Sequence, residues 1–300
     1  FETETTDGSF RSACTGFSYS GQPFDYQTNP QLTITAYNAA NPSVITENYS
    51  GNFAKLIFTD FIVATPTSDT NQLGADNTTL VRLDWQPAAA TLTDNNNGSL
   101  TYAFGDDVYI YQHEANSQIA PFNNAVNLTF TTITDSDDVA TTTLSPLTLQ
   151  PAGESIRFGQ LTFGSAHGSE LIPLTIPIKL EHFSNAGWIE DSVDQCTVLN
   201  LTDHILLANP DTAGDGTTLM TISASTTSAT LSNTNPFIKD RGSITFSAPG
   251  DDNLGYVDIS SNIGVAYPWL LDLTNSEIRG RASFGLFQGS NNIIFRRELN

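Results

Sequence analysis

Apolar side chains recur at every second position along much of this chain, and threonine fills most of the positions between them. Leu32, Ile34 and Ala36 alternate with Thr33 and Thr35, and Leu128 and Phe130 alternate with Thr129 and Thr131. Leu174, Ile176, Ile178 and Leu180 alternate with Thr175, Pro177 and Lys179, and Ile244 and Phe246 with Thr245 and Ser247. A period of two places one set on one face of a pleated strand and the other set on the opposite face. The branched threonine side chain suits the half-exposed face of a sheet. Between these runs lie turn clusters: Asp94-Asn95-Asn96-Asn97-Gly98, Asp135-Ser136-Asp137-Asp138, Asp211-Thr212-Ala213-Gly214-Asp215-Gly216 and Pro249-Gly250-Asp251-Asp252-Asn253. Asn97-Gly98 between Leu92 and Leu100 reads as a hairpin. No stretch keeps a helical period over three turns, and the best candidate for a single turn is His113 to Gln118. The expected fold is therefore all-β: one or more antiparallel β-sandwiches, immunoglobulin-like or jelly-roll-like, with little or no helix.

Two details refine that expectation. Pro173 and Pro177 share one strand, and proline cannot donate to a ladder, so this strand is expected at a sheet edge or bulged. A chain of 300 residues can hold two domains or one composite unit. The segment Ile119 to Asn124 is the best boundary, giving sandwich domains over 1–120 and 121–300.

Charge limits the partners. The chain carries 32 acidic against 11 basic residues, a net charge of −21. That field repels nucleic acid phosphates and anionic lipid headgroups. No apolar run approaches the roughly 18 residues of a membrane helix; the densest stretch, Phe53 to Ala64, is broken by Lys55, Thr59 and Asp60. Neither nucleic acid binding nor membrane insertion by this segment is expected. The first residue, Phe1, follows no signal peptide, which suits a mature product or part of a longer secreted protein. Glu2, Glu4 and Asp7 take the place of the apolar helix that opens a type IV pilin, so a pilin subunit is not expected.

Few residues suggest catalysis. Gly164-Ser165-Ala166-His167-Gly168 has the serine in the wrong place for a nucleophile elbow. Glu170, Glu181 and Glu190 lie near strands, but nothing in their spacing sets two of them about 5–9 Å apart across a cleft, as glycoside hydrolysis needs. His113, His167, His182 and His204 lack zinc spacing. Calcium suits the oxygen-rich loops, with Asp135, Asp137, Asp138, Asp211 and Asp215 as ligands, although neither loop has the closing glutamate of an EF-hand. Sugars would call for exposed aromatic platforms. Trp85, Trp188, Trp269, Tyr109 and Tyr111 supply rings, with Trp188, Tyr109 and Tyr111 as the chosen candidates and core packing as the competing role. Cys14 and Cys196 form either one bridge or two buried thiols; a bridge closing so long a loop would add on the order of 4–5 kcal/mol.

Several blocks in a fixed order carry a resemblance. They are Ala13-Cys14-Thr15-Gly16-Phe17-Ser18-Tyr19-Ser20-Gly21-Gln22-Pro23-Phe24, Asn48-Tyr49-Ser50-Gly51-Asn52-Phe53, Arg157-Phe158-Gly159-Gln160-Leu161, Asp194-Gln195-Cys196-Thr197, Tyr267-Pro268-Trp269-Leu270, Arg281-Ala282-Ser283-Phe284-Gly285 and Ile293-Ile294-Phe295-Arg296-Arg297-Glu298. Over nearly its whole length the chain resembles the C-terminal region of MshQ-type proteins, linked to biogenesis of the mannose-sensitive haemagglutinin (MSHA) type IV pilus. The resemblance implies an extracellular or cell-surface protein of a Gram-negative bacterium, with other envelope or pilus proteins and surface glycans as partners. Both cysteines fall within its blocks, which supports their bridge. The stretch Leu271 to Gly280 is shorter and less acidic than the corresponding family loop, so a cation site there is not carried over. The expected function is a non-enzymatic pilus-associated or adhesion module; the alternatives are a carbohydrate-binding module and a glycoside hydrolase.

Overall fold

A computed structural model describes residues 1–40, 42–68, 82–141, 146–208, 219–232, 242–271 and 279–285. Asp211 and Asp215 lie outside the described residues, as does the block from Ile293 to Glu298. Among those described, the sole α-helix is Leu201–His204; all else is strand, turn or short 3-10 helix. His113 to Gln118 forms a turn, closed by the Ser117 N–H on the Glu114 carbonyl, and not the helical turn that the sequence suggested. The Ser117 hydroxyl accepts from the Glu114 N–H, and this local bond competes with a helix.

The chain divides into two compact units: Phe1–Gln160 with Glu181–Asp191, and Leu161–Leu180 with Ser192–Asn300. The division does not fall at 120. Val126, Leu128, Phe130, Ile156 and Phe158 pack in one cluster with Leu32, Ile34 and Leu100, so the residues that follow Pro121 complete the first core.

In the first unit one antiparallel sheet runs in the order Glu2–Thr6, Gln31–Thr35, Ser99–Ala103, Thr91–Asp94. Its last two strands are the anticipated hairpin, turned through Asn95–Gly98. Asn96 and Gly98 hold the left-handed backbone at φ of 58° and 83°. A Cβ on Gly98 would lie 2.5 Å from the Thr46 carbonyl oxygen, so glycine is required there twice over. A second sheet places Val126–Ile133 between Leu147–Leu149 and Phe61–Val63. Alternate residues of both sheets meet in the core, where Tyr102 packs edge-on to Phe130 at 5.3 Å and stacks on Phe61 at 5.1 Å. Smaller ribbons add Tyr109, Tyr111 and Ile156.

The second unit has a legible topology. One sheet runs Gly159–Phe163, Leu174–Ser184, Gly242–Phe246, Ser225–Ser232, Leu219–Ile222; the other runs Ser165–Gly168, Arg279–Phe284, Gly255–Ser261, Ile205–Ala208. Ser165–Gly168 and Arg279–Phe284 are parallel. Lettered in chain order, with Leu219–Ile222 as an addition and Ser165–Gly168 as a continuation of the first strand into the other sheet, these are the A-B-E-D and C-F-G sheets of an immunoglobulin-like sandwich. Leu174, Ile176, Ile178 and Leu180 are all buried, as their spacing required.

Pro177 corrects an expectation. Its strand is interior, flanked on both sides, and not an edge. The ring is accommodated because the neighbouring strand ends at Phe163. Gly164 follows, donating its N–H to the Pro177 carbonyl at 2.9 Å. A Cβ on Gly164 would sit 2.7 Å from the proline Cγ, so the absent side chain makes room for the ring where a ladder donor would otherwise point.

Candidate functional site

The side chains with the most chemical potential in the first unit are buried and committed to one another. Asp107 accepts the indole N–H of Trp85 on Oδ2 at 3.0 Å and the Ala88 N–H on Oδ1 at 2.7 Å. The Tyr109 hydroxyl reaches Oδ2 at 3.4 Å and touches the Tyr26 hydroxyl. Burial, above all, pushes both phenols well above their ordinary range. Asp191, with a side-chain exposure of 0 %, receives Arg157 Nη1 on both oxygens at 3.1 Å and the Tyr19 hydroxyl at 3.5 Å. His182 Nδ1 lies 3.2 Å from Oδ2, in ion-pair range but not aligned as a hydrogen bond. The Arg157 guanidinium also covers the Phe17 ring at 4.3 Å.

Glu154 is the third buried acid, 7 % exposed. Ser18 donates to Oε1 at 2.9 Å, while Oε2 and the nearby Asn124 Nδ2 have no hydrogen-bond partner. Burial raises its carboxyl to about 7 against the hydrogen bonds from Ser18 and Ser12. Ser12 also lines an open recess of about 300 Å³ with Arg11, Ala13, Pro23, Phe24, Asp25 and Val108. Arg11 and Asp25 are paired across it at 3.1 Å.

The aromatic platforms anticipated from sequence do not survive as such. Tyr109 and Tyr111 are core residues with essentially no exposed surface, held between Phe24, Phe10 and Phe122. Both lie on one face of Val108–Tyr111, two residues apart, and that face is the inner one. Trp188 is half-buried against Phe183 at 5.5 Å and Phe158 at 6.0 Å. Of the acidic loops, Asp135 is buried and uses Oδ1 to accept the N–H groups of Asp137 and Val139, the geometry of a self-capped turn. Glu181 and Glu190 stand opposite each other across the hairpin in the first unit, where Glu181 also accepts from Gln160; Glu170 belongs to the second unit.

Cys14 and Cys196 are joined in a disulfide, so neither sulfur is available as a thiolate. Asp194 fixes the Cys196 side of the bridge: Oδ1 accepts the N–H groups of Cys196 and Thr197, and Oδ2 accepts the Thr197 hydroxyl at 2.9 Å.

An aromatic group lies partly exposed in the second unit. At one end of the second unit the loop before Ile205–Ala208 meets the loop after Gly255–Ser261. Tyr267 donates its hydroxyl to the Val198 carbonyl at 2.9 Å and accepts the Val198 N–H at 3.0 Å. Asn262 donates its backbone N–H to the His204 carbonyl at 2.8 Å and its side-chain N–H to the Asp203 carbonyl at 3.2 Å. The turn Pro268–Leu270 buries Leu270 and leaves Trp269 partly exposed. His204, Tyr267 and Trp269 follow one another at centroid distances of 5.4 and 5.8 Å. His204 Nδ1 accepts the Asn200 N–H at 3.1 Å, so the neutral ring carries its proton on Nε2. Val265, at 99 % exposure, stands on the same loop. The sequence marked Trp269 as a ring of interest and Tyr267 as part of a block; nothing in it linked either to His204.

Residues 1–156 match the family described as DUF6701, third domain, and residues 157–299 match DUF6701, fourth domain. The family division at 156 lies close to the end of the first unit's main segment at Gln160. No curated protein matches the chain. Among solved structures, a marsupial T cell receptor overlaps 94 % of this chain and 73 % of its own at 11 % identity, with a TM-score of 0.27. Domains 5-6 of the S-layer protein SbsC overlap 93 % of this chain and 98 % of their own at 11 % identity, with a TM-score of 0.20. Similarities at that level have no bearing on function.

Proposed function

We propose, on the premise that the chain belongs to the DUF6701 family and spans its third and fourth domains, that it is a non-enzymatic module of the bacterial cell surface, associated with a pilus and working through surface contacts. One observation carries this reading. The groups best suited to acid–base or nucleophilic work are committed to the fold: Asp107, Glu154 and Asp191 are buried, all but part of Glu154 is hydrogen-bonded, and the two cysteines are tied up in the disulfide. The solvent-facing turns carry scattered acids such as Asp137, Asp138, Asp251 and Asp252 among uncharged polar residues and aliphatic groups such as Val265. The disulfide supports an oxidising location, since such bridges persist outside the reducing cytosol. Stiff antiparallel sandwiches suit load-bearing stalks and present loops at their ends.

The experiment has two arms. Light scattering at rising concentration should reveal species larger than the 32.4 kDa monomer if the module assembles with itself; a strict monomer removes self-assembly from the reading. Incubation with polysaccharides should release no reducing ends. Hydrolysis that persists in highly purified protein would replace this reading with a glycosidase. Carbohydrate binding is the second reading, favoured by the partly exposed ring group of His204, Tyr267 and Trp269.

A further inference from the structure

We propose that the loop end of the second unit formed around His204, Tyr267 and Trp269 is a binding face for neutral hexopyranose sugars. The inference rests on the reading of the chain as a non-catalytic surface module and names what one face of it would contact. Sugar rings present a patch of C–H groups on one face and hydroxyls around the rim. They are held by an aromatic surface for the patch and by a few fixed polar groups for the rim.

Both parts are present. The turn Pro268–Leu270 anchors itself by burying Leu270, and the Leu270 N–H bonds to the Tyr267 carbonyl at 3.0 Å. Trp269 is thereby held partly exposed on a fixed backbone. Among the described residues its ring contact is with Tyr267, edge-to-face at 87°, and that ring covers no more than one face of the indole. The indole N–H makes no hydrogen bond to a described residue and is available to a hydroxyl. His204 Nε2–H is a second donor whose direction is set by the Asn200 N–H on the opposite ring nitrogen.

The rings are also held in advance of any ligand. Tyr267 is bonded to Val198 through both its hydroxyl lone pair and its proton, and Asn262 is bonded to both Asp203 and His204. A face ordered beforehand loses less entropy on binding. Charge selects among sugars. Asp203 is exposed beside His204, and the chain carries −21 overall, so uronate and sialic acid polymers are repelled.

Affinity electrophoresis of the full chain through gels containing dextran, laminarin or galactomannan tests this, with alginate as the anionic control. At least one neutral polymer should retard the protein, and alginate should not. Trp269→Ala should weaken retardation by about tenfold, the loss of one ring stack. His204→Ala should weaken it several-fold. Phe53→Ala, at an exposed ring of the first unit, should leave it unchanged. Should Trp269→Ala lower the melting temperature, Trp269→Phe decides: it keeps a ring for stacking but should remove the fluorescence change that the polymer induces in the native protein. Absence of retardation by all three neutral polymers would overturn the binding face and leave the non-enzymatic reading intact. Retardation that survives Trp269→Ala unchanged, or that alginate matches, would also overturn it. Retardation accompanied by cleavage would instead remove the non-enzymatic reading and keep the face.

Discussion

The two units solve the same packing problem with different side chains. The first fills its interior with rings, among them Phe10, Phe24, Tyr26, Tyr102, Tyr109, Tyr111 and Phe130. The second relies on Ile176, Ile178, Leu180, Leu207, Ile222, Ile244, Val257 and Ile259. A buried tyrosine brings a hydroxyl that must find a partner, so a tyrosine-rich core draws polar groups inside. Asp107 is such a partner for Tyr109, and Asp191 lies within reach of Tyr19. An aliphatic core makes no such demand. In the second unit the described acids that matter, Asp194 and Asp258, serve a turn and the surface. The first unit should therefore be the more sensitive to loss of single polar groups and to pH, and the second the more tolerant.

The sharpest way to break this contrast is Asp191→Ala. Removing the carboxylate strands Arg157 and His182 in a buried place, and breaking one side of such a pair costs about 3–5 kcal/mol. Urea denaturation followed by a probe in the first unit should show a loss of that order. A loss under about 1 kcal/mol would mean that the cluster is neutral to stability and that the contrast between the cores is one of composition only.

Glu154 gives the next largest effect, and it depends on pH. Its carboxyl is held at about 7 in the fold against 4.5 as reference, because burial disfavours the charge. The folded state therefore binds the proton more tightly than the unfolded chain. The stabilisation is present in full below 4.5 and is lost as pH rises towards 7. The size is about 3 kcal/mol at most, since each pKa unit is worth roughly 1.4 kcal/mol. The groups facing it are Ser18, Ser12 and Asn124, with Asp25 adding repulsion. Comparison of the native chain with Glu154→Gln isolates it: the two should be alike near pH 4.5, and the variant should be the more stable at pH 8. Parallel profiles across that range would show that Glu154 does not titrate there.

What could be read from the sequence follows from how local each feature is. Strand rows such as Leu174 to Leu180 were legible because periodicity is a property of neighbouring residues. The hairpin at Asn97-Gly98 was legible for the same reason. Pro177 misled because its tolerance depends on where another strand stops, at Phe163, and on Gly164 beyond it. The division near 120 misled because Val126 to Phe158 show a composition break but share a core with residues a hundred positions earlier. Tyr109 and Tyr111 misled as candidate surface rings and are core, because their two-residue spacing puts them on one face of a strand but does not say which face is wet. The Asp191 cluster and the pairing of His204 with Tyr267 were invisible, because each joins residues brought together only by sheet topology.

The smallest effect tests the tolerant side of the comparison. Arg281 and Asp258 sit opposite each other on neighbouring strands of the second unit, with Nε–Oδ1 at 2.6 Å and Nη2–Oδ2 at 3.0 Å, and the guanidinium lies over Tyr256 at 3.9 Å. The geometry is as favourable as that of Asp191 with Arg157. The setting differs, because the two side chains are 49 % and 37 % exposed and water already screens them. Arg281→Lys keeps the charge and gives up the forked contact and the ring cover. It should cost under about 1 kcal/mol, and high salt should erase part of even that. A loss approaching that of Asp191→Ala would mean that exposure does not set the worth of these pairs, and the contrast between the two units would have to rest on something other than what each buries.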